Sequence, residues 1–155
     1  MKIDNILLDN LTSQAKASPR LRMNLDLRNS DADSSQRMLN AIEPGSVVPV
    51  HRHRKTSETV VVLRGRVVEE YYSSDGALVA SYELSAGGDA RSESGMTERE
   101  SDMTKRESGM TGVACALNIP AGQWHTLRAL ESGTVILEMK DGAYEPIRAE
   151  DILSM

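Results

Sequence analysis

The chain has 155 residues, 39% of them hydrophobic, with 3% aromatic and no Phe, so a single core would rest on Leu, Val, Ile, Ala and Met. A net charge of -5 excludes the broad basic footprint of a nucleic-acid binder. One cysteine, Cys115, excludes an intrachain disulfide and a thiolate zinc cluster.

The opening MKIDNILLDNL interrupts its apolar run with Asp4 and Asp9 and lacks a small-residue cleavage site, so it does not read as a signal peptide. No stretch approaches the roughly 18 apolar residues of a bilayer span. These features predict a cytoplasmic protein with neither membrane nor nucleic acid as partner. Leu and Ile at 6, 7, 8 and 11 predict a short helix from Asn5 to Ala17, stopped near Pro19. LRMNLDLR then alternates: Leu21, Met23, Leu25 and Leu27 face one way, and Arg22, Asn24, Asp26 and Arg28 the other.

The middle of the chain is β-branched and punctuated by turns. VVPVHRH, ETVVVL, VVEEYY and ALVASYEL read as strands, with Ser74-Asp75-Gly76 as a hairpin turn between the last two. VACALNI, WHTLRA and TVILEMK read as three more, and AEDIL as a short closing helix. On VACALNI, Cys115 alternates with Val113 and Leu117, which predicts a buried packing role. Trp124 reads as a core or interface residue. Many short strands with close turns imply a sandwich or barrel. Between them RSESGMT, ERESDMT and KRESGMT repeat from Arg91 to Thr111. One apolar Met per seven residues cannot form a coiled-coil seam, and the segment reads as a surface loop insert at about 88–111.

All three histidines fall in one pattern. His51 and His53 sit two apart, which on extended chain places both rings on one side with Cα atoms roughly 6.5–7 Å apart. Glu58 follows after a polar turn and can return a carboxylate, while His125 follows the turn signal Pro120-Ala121-Gly122. Three imidazoles and a carboxylate suit one divalent transition metal: Fe, Mn, Ni, Co or Zn.

Gly45-x5-His51-x-His53-x4-Glu58-x6-Gly65 resembles the first motif of the cupin family, and Pro120-x-Gly122-x2-His125 the core of the second. In the second motif Gly112 stands two residues early and Ala129 replaces the usual Asn; neither is a ligand position. The resemblance implies an all-β fold, a double-sheet jelly-roll β-barrel with a short N-terminal and a short C-terminal helix. It implies one cupin domain over residues 1–155 and His51, His53, Glu58 and His125 as metal ligands. QRMLNAIEPGSVVPVHRH and QWHTLRALESGTVILEMKDGAYEP narrow it to the WbuC-type cupin metalloproteins. Members of that group often carry a further histidine near the position of Asp26, which this chain lacks.

The resemblance implies a small-molecule ligand, a sugar or nucleotide sugar of surface-polysaccharide biosynthesis, and a homodimer. The favoured activity is a metal-dependent isomerase or epimerase. A non-catalytic sugar sensor or accessory protein, and an Fe(II) dioxygenase, stand as alternatives with the same ligands. Acid–base candidates are Glu138, Tyr71, Tyr144 and Lys140. Arg20, Arg22, Asn24, Gln36, Arg37 and Gln123 are the candidates for ligand recognition, the arginines because a guanidinium offers a bidentate fork to phosphate or carboxylate.

Overall fold

The computed structural model describes residues 1–87 and 114–154. The helix α1 (Asn5–Ala17) forms as its spacing predicts. Asp4 caps it, its side chain accepting from the Leu7 N–H at 3.1 Å. Leu8, Leu11, Thr12 and Ala15 are its buried face, and the chain leaves the helix through Ser18 and Pro19.

Among the described residues eight strands follow: β1 (Arg22–Asp26), β2 (Gln36–Ile42), β3 (Glu58–Arg64), β4 (Arg66–Tyr72), β5 (Leu78–Ser85), β6 (Ala116–Ile119), β7 (Trp124–Ala129) and β8 (Thr134–Lys140). They form a five-stranded sheet ordered β1-β2-β8-β3-β6 and a three-stranded sheet ordered β5-β4-β7. Every pairing within the two sheets is antiparallel. The fold is an all-β cupin jelly-roll.

Two apolar clusters follow from strand alternation. Outside the large sheet, Leu39, Ala41 and Val135 pack under Leu8, Leu11 and Ala15 of α1, with Met23 and Leu25 of β1 and Leu27 just after it beside them. Between the sheets, Val60, Val62 and Ile136 meet Val67, Leu84 and Leu127. Burying a Leu or Val of either cluster stabilises the fold by roughly 1.5–3 kcal/mol. The same inward-facing positions that carry this core also carry Glu58, Glu69, Glu138 and Lys140.

Three local expectations change, and one strand was not expected. VVPVHRH does not form a strand; only His51 bridges, to His125 and Ile152. Pro49 in that segment has no N–H to give a ladder. Cys115 is exposed, not buried, because the chain bends there before β6 begins at Ala116. AEDIL gives a single 3-10 turn over Ala149–Asp151 before Ile152 bridges His51. The strand β2 had no alternating signal: α1 covers Leu39 and Ala41 on one face, while Gln36 and Ile42 are buried on the other. The heptapeptide repeat lies outside the described residues.

Gly65 joins β3 to β4 at φ +75, where a Cβ would meet the Thr134 hydroxyl and stand 3.0 Å from the Thr134 Cα. Thr134 is fully buried, and its hydroxyl donates to the Glu131 carbonyl at 2.7 Å, so it has little room to yield. Gly133, at φ +79, faces open space. Gly65→Ala is expected to cost ~2–4 kcal/mol, left-handed strain plus overpacking. Gly133→Ala carries only the strain, ~1–2 kcal/mol. Urea unfolding of the two variants measures the difference; equal losses would refute the packing argument.

Candidate metal centre

The two motifs meet through backbone hydrogen bonds. The His51 N–H donates to the His125 carbonyl at 2.9 Å, and the His125 N–H returns to the His51 carbonyl at 2.8 Å. The Gly122 N–H donates to the His53 carbonyl at 2.7 Å, fastening the PAG turn to the same segment. The ring centroids of His51 and His125 lie 4.5 Å apart, those of His51 and His53 5.1 Å, and those of His53 and His125 5.8 Å. One ring nitrogen from each falls within 4.8 Å of the others.

Which nitrogen faces the centre is set two residues upstream. His51 Nδ1 lies 2.9 Å from the Pro49 carbonyl and His125 Nδ1 2.9 Å from the Gln123 carbonyl. A carbonyl only accepts, so in each ring Nδ1 carries the proton and Nε2 is left for ligation. Burial, then the neighbouring His125, pushes His51 down to about 4, so its ring is neutral at neutral pH.

The fourth expected ligand, Glu58, lies outside the three-histidine cluster but beside two of its rings. It is the first residue of β3, opposite Lys140 of β8 and Ile119 of β6. Its Oε2 lies 3.3 Å from His53 Nε2, 3.8 Å from His125 Nε2 and 3.3 Å from Lys140 Nζ. Burial pushes this carboxyl up, but His125, His53 and Lys140 outweigh it and hold it well below the usual carboxylate range. His53 Nε2, His125 Nε2 and Glu58 Oε2 are all buried without a hydrogen-bond partner. Converging, unpartnered lone pairs of N and O donors fit a divalent transition metal.

Behind the centre stands a buried cluster of ionisable groups. Lys140 Nζ lies 2.6 Å from Glu138 Oε1, and Asn40 donates to Glu138 Oε2 at 2.9 Å. Burial, then the Glu58 charge, pushes Glu138 up. Burial pushes Lys140 down, but Glu138 and Glu58 more than offset it and keep it charged. Tyr71 pairs with His125 across β4 and β7, its buried hydroxyl unpartnered and its pKa raised by burial. Tyr144, by contrast, is 50% exposed with Arg28 over its ring.

Sequence reasoning passed over Glu69. It is 0% exposed on the inner face of β4, two residues from Tyr71, and neither carboxyl oxygen has a hydrogen-bond partner. Burial above all, then the charges of Glu58 and Glu138, push it well above the ordinary range. A carboxyl inside an apolar barrel without a partner is costly, which makes Glu69 a candidate for the site. The signal was present: VVEEYY puts Glu69 in phase with Val67 and Tyr71, on the buried face of an alternating strand.

The recognition candidates scatter. Gln36 is buried and lines a cavity of about 290 Å³ that also touches His53 and Lys140. Arg20 is exposed, and Arg22 donates to the Val47 carbonyl. Asn24 is exposed on the edge strand β1. Arg37 pairs with Asp33 at 2.6 Å on the other face of β2. Gln123 donates to the Tyr72 and Trp124 carbonyls, holding the turn before His125. Trp124 is buried, with the Arg52 guanidinium 4.4 Å above its ring.

Two outcomes are expected. Protein reconstituted with Mn(II), Fe(II), Co(II), Ni(II) or Zn(II) should bind ~1 ion per chain, and His53→Ala should weaken binding by ~100-fold or more, read by elemental analysis after dialysis. The second concerns Glu69. Its proton stays on in the folded chain but leaves the unfolded one near 4.5, the ordinary value for a glutamate, so wild-type stability is lost as pH rises above that. Glu69→Gln has no proton to lose. It should raise the thermal midpoint by ~3 °C or more at pH 8 and by less at pH 5; equal shifts at both would contradict the buried-acid assignment.

Comparison with known proteins agrees with this architecture. KdgF from Halomonas sp. superposes with a TM-score of 0.51 at 13% identity, covering 83% of this chain and 84% of that one. Oxalate oxidase in complex with glycolate gives a TM-score of 0.57 at 14% identity over 86% of this chain and 57% of its own. Oxalate decarboxylase OxdC of Bacillus subtilis, which has Mn(II) centres, gives 0.51 at 14% identity over 81% of this chain and 26% of its own. These are cupin-fold proteins, and at such identities the likeness concerns the fold. No curated protein matches the chain. A family model matches residues 3–84, just over half of the chain, so the protein belongs to the family described as Domain of unknown function (DUF6016), carried on a cupin fold.

Proposed function

We propose that this protein is a metal-dependent enzyme that moves a proton on a sugar or nucleotide sugar, in the manner of an isomerase or epimerase. The observation that carries it is the joining of the three-imidazole cluster to a buried acid–base group and a cavity. A purely structural ion needs neither. The metal identity and the sugar are parts of this proposal; the sugar rests on the WbuC-like segments of the sequence.

His51, His53, His125 and Glu58 would hold the ion. When bound it supplies Lewis-acid polarisation of a carbonyl or hydroxyl oxygen. Around it the chain divides proton work between environments. Glu138, oriented by Lys140 and Asn40, is the group placed to accept a proton. Glu69, raised by burial, is placed to hold one and return it. Lys140, between Glu138 and Glu58, keeps two nearby carboxylates from repelling one another.

The test is turnover of a panel of sugars and nucleotide sugars by metal-loaded protein. The expected result is product formation that Glu138→Gln lowers by ~100-fold or more while metal content stays at wild-type level. Oxygen uptake with Fe(II) would instead mark the dioxygenase. Saturable binding with no product over long incubation would mark a sensor, and either result would overturn the isomerase reading.

A further inference from the structure

We infer that the cavity beside His53 is an anion-recognition site, in which the Arg52 guanidinium takes a carboxylate or phosphate group on a ligand about the size of one sugar ring. The inference rests on the proposed function, in which that cavity serves the metal centre. It adds what the substrate must carry.

The chain as a whole is acidic, with 18 Lys and Arg against 23 Asp and Glu. The cavity lining reverses this balance: Arg52, Arg54, Lys55, Lys140 and Arg148 against only Glu145 and Asp151. Not all of that charge is available. Lys140 is committed to Glu58 and Glu138. Lys55 with Glu145 at 3.7 Å, and Arg148 with Glu150 at 3.9 Å, are exposed pairs that contribute attraction more than affinity.

Arg52 differs from these. Its Nε donates to Asp151 Oδ1 at 2.9 Å, and its guanidinium carbon lies 4.4 Å from the centroid of the buried Trp124 ring. Its backbone N–H donates to the Asp151 carbonyl at 3.1 Å. Arg54 Nε reaches the same Asp151 oxygen and its Nη2 lies 3.4 Å from Glu150, so Asp151 and Glu150 together answer Arg52, Arg54 and Arg148, and one positive charge is left over. Neither Nη group of Arg52 takes a hydrogen-bond partner among the described residues. A fork clamped at Nε and stacked on an indole, with both terminal amino groups unpaired, is organised for a two-oxygen anion before the ligand arrives.

Size narrows the ligand. The cavity of about 290 Å³ has room for roughly ten waters, enough for one sugar ring with a charged substituent. The nucleotide part of a nucleotide sugar would have to extend past the rim, along Lys55 and Arg148.

Isothermal titration of metal-loaded protein with glucose, glucuronate and glucose 6-phosphate tests this. One or both anions should bind, glucose should not, and which anion binds more tightly identifies the group recognised. Arg52→Lys keeps the charge but loses the fork, and should weaken binding by ~10-fold or more at unchanged thermal midpoint and metal content. Equal binding of glucose, no binding of either anion, or full binding by Arg52→Lys would overturn the proposal. If Arg52→Lys does not fold, Trp124→Phe, which weakens the stack, should loosen anion binding and leave metal content alone; unaltered binding would again overturn it. Running this titration beside the turnover assay separates the two readings. Anion binding with no turnover under any metal would uphold the cavity assignment and sink the isomerase. Turnover of neutral sugars would do the reverse.

Discussion

The reciprocal hydrogen bonds between the backbones of His51 and His125 hold the centre together. They join an irregular segment to a regular strand across 74 positions of sequence, and they bring two of the three rings to 4.5 Å. Residues 47–53 have no ladder of their own, so this pair sets the register of the H-x-H segment against β7. The Gly122 N–H on the His53 carbonyl extends the junction, and the C-terminal tail fixes its other side through the Leu153 N–H on the Val50 carbonyl at 2.8 Å. The centre thus sits where three separate parts of the chain are fastened.

This position has an energetic consequence. The barrel interior is apolar at Val60, Val62, Val67 and Leu127, yet it also holds Glu58, Glu69, Glu138 and Lys140. A single unpartnered buried polar group costs about 1–3 kcal/mol, and ionised carboxyls more. Lys140 offsets part of this for Glu58 and Glu138, while Glu69 avoids it by keeping its proton. A bound cation would offset much of the rest, because each unpartnered atom at the centre is a potential ligand. Stability and metal binding are linked for that reason.

The elements with a clear alternation or a β-branched run bounded by turns were legible in the sequence. The helix Asn5–Ala17 and the strands β1 and β3 to β8 follow from periodicity and turns, and the histidine cluster from spacing. What escaped was buried on both sides or made by a partner distant in sequence. Strand β2 has no alternation to read because α1 covers one face and the barrel the other. Cys115 kept the phase of its neighbours but met a bend. Arg52 looked like the spacer between two histidines until Asp151, 99 positions later, was seen to clamp it.

The sequence by itself determined the strand content, the turn glycines and which residue types could ligate, because these depend on local stereochemistry and side-chain chemistry. Only the tertiary structure decided what each polar side chain faces. Arg22, Arg37 and Gln123 turned to nearby carbonyl and carboxylate groups, whereas Glu69 and Arg52 acquired the environments that make them candidates. Burial and charge pairing depend on distances between residues far apart in the chain, and no local pattern contains those distances.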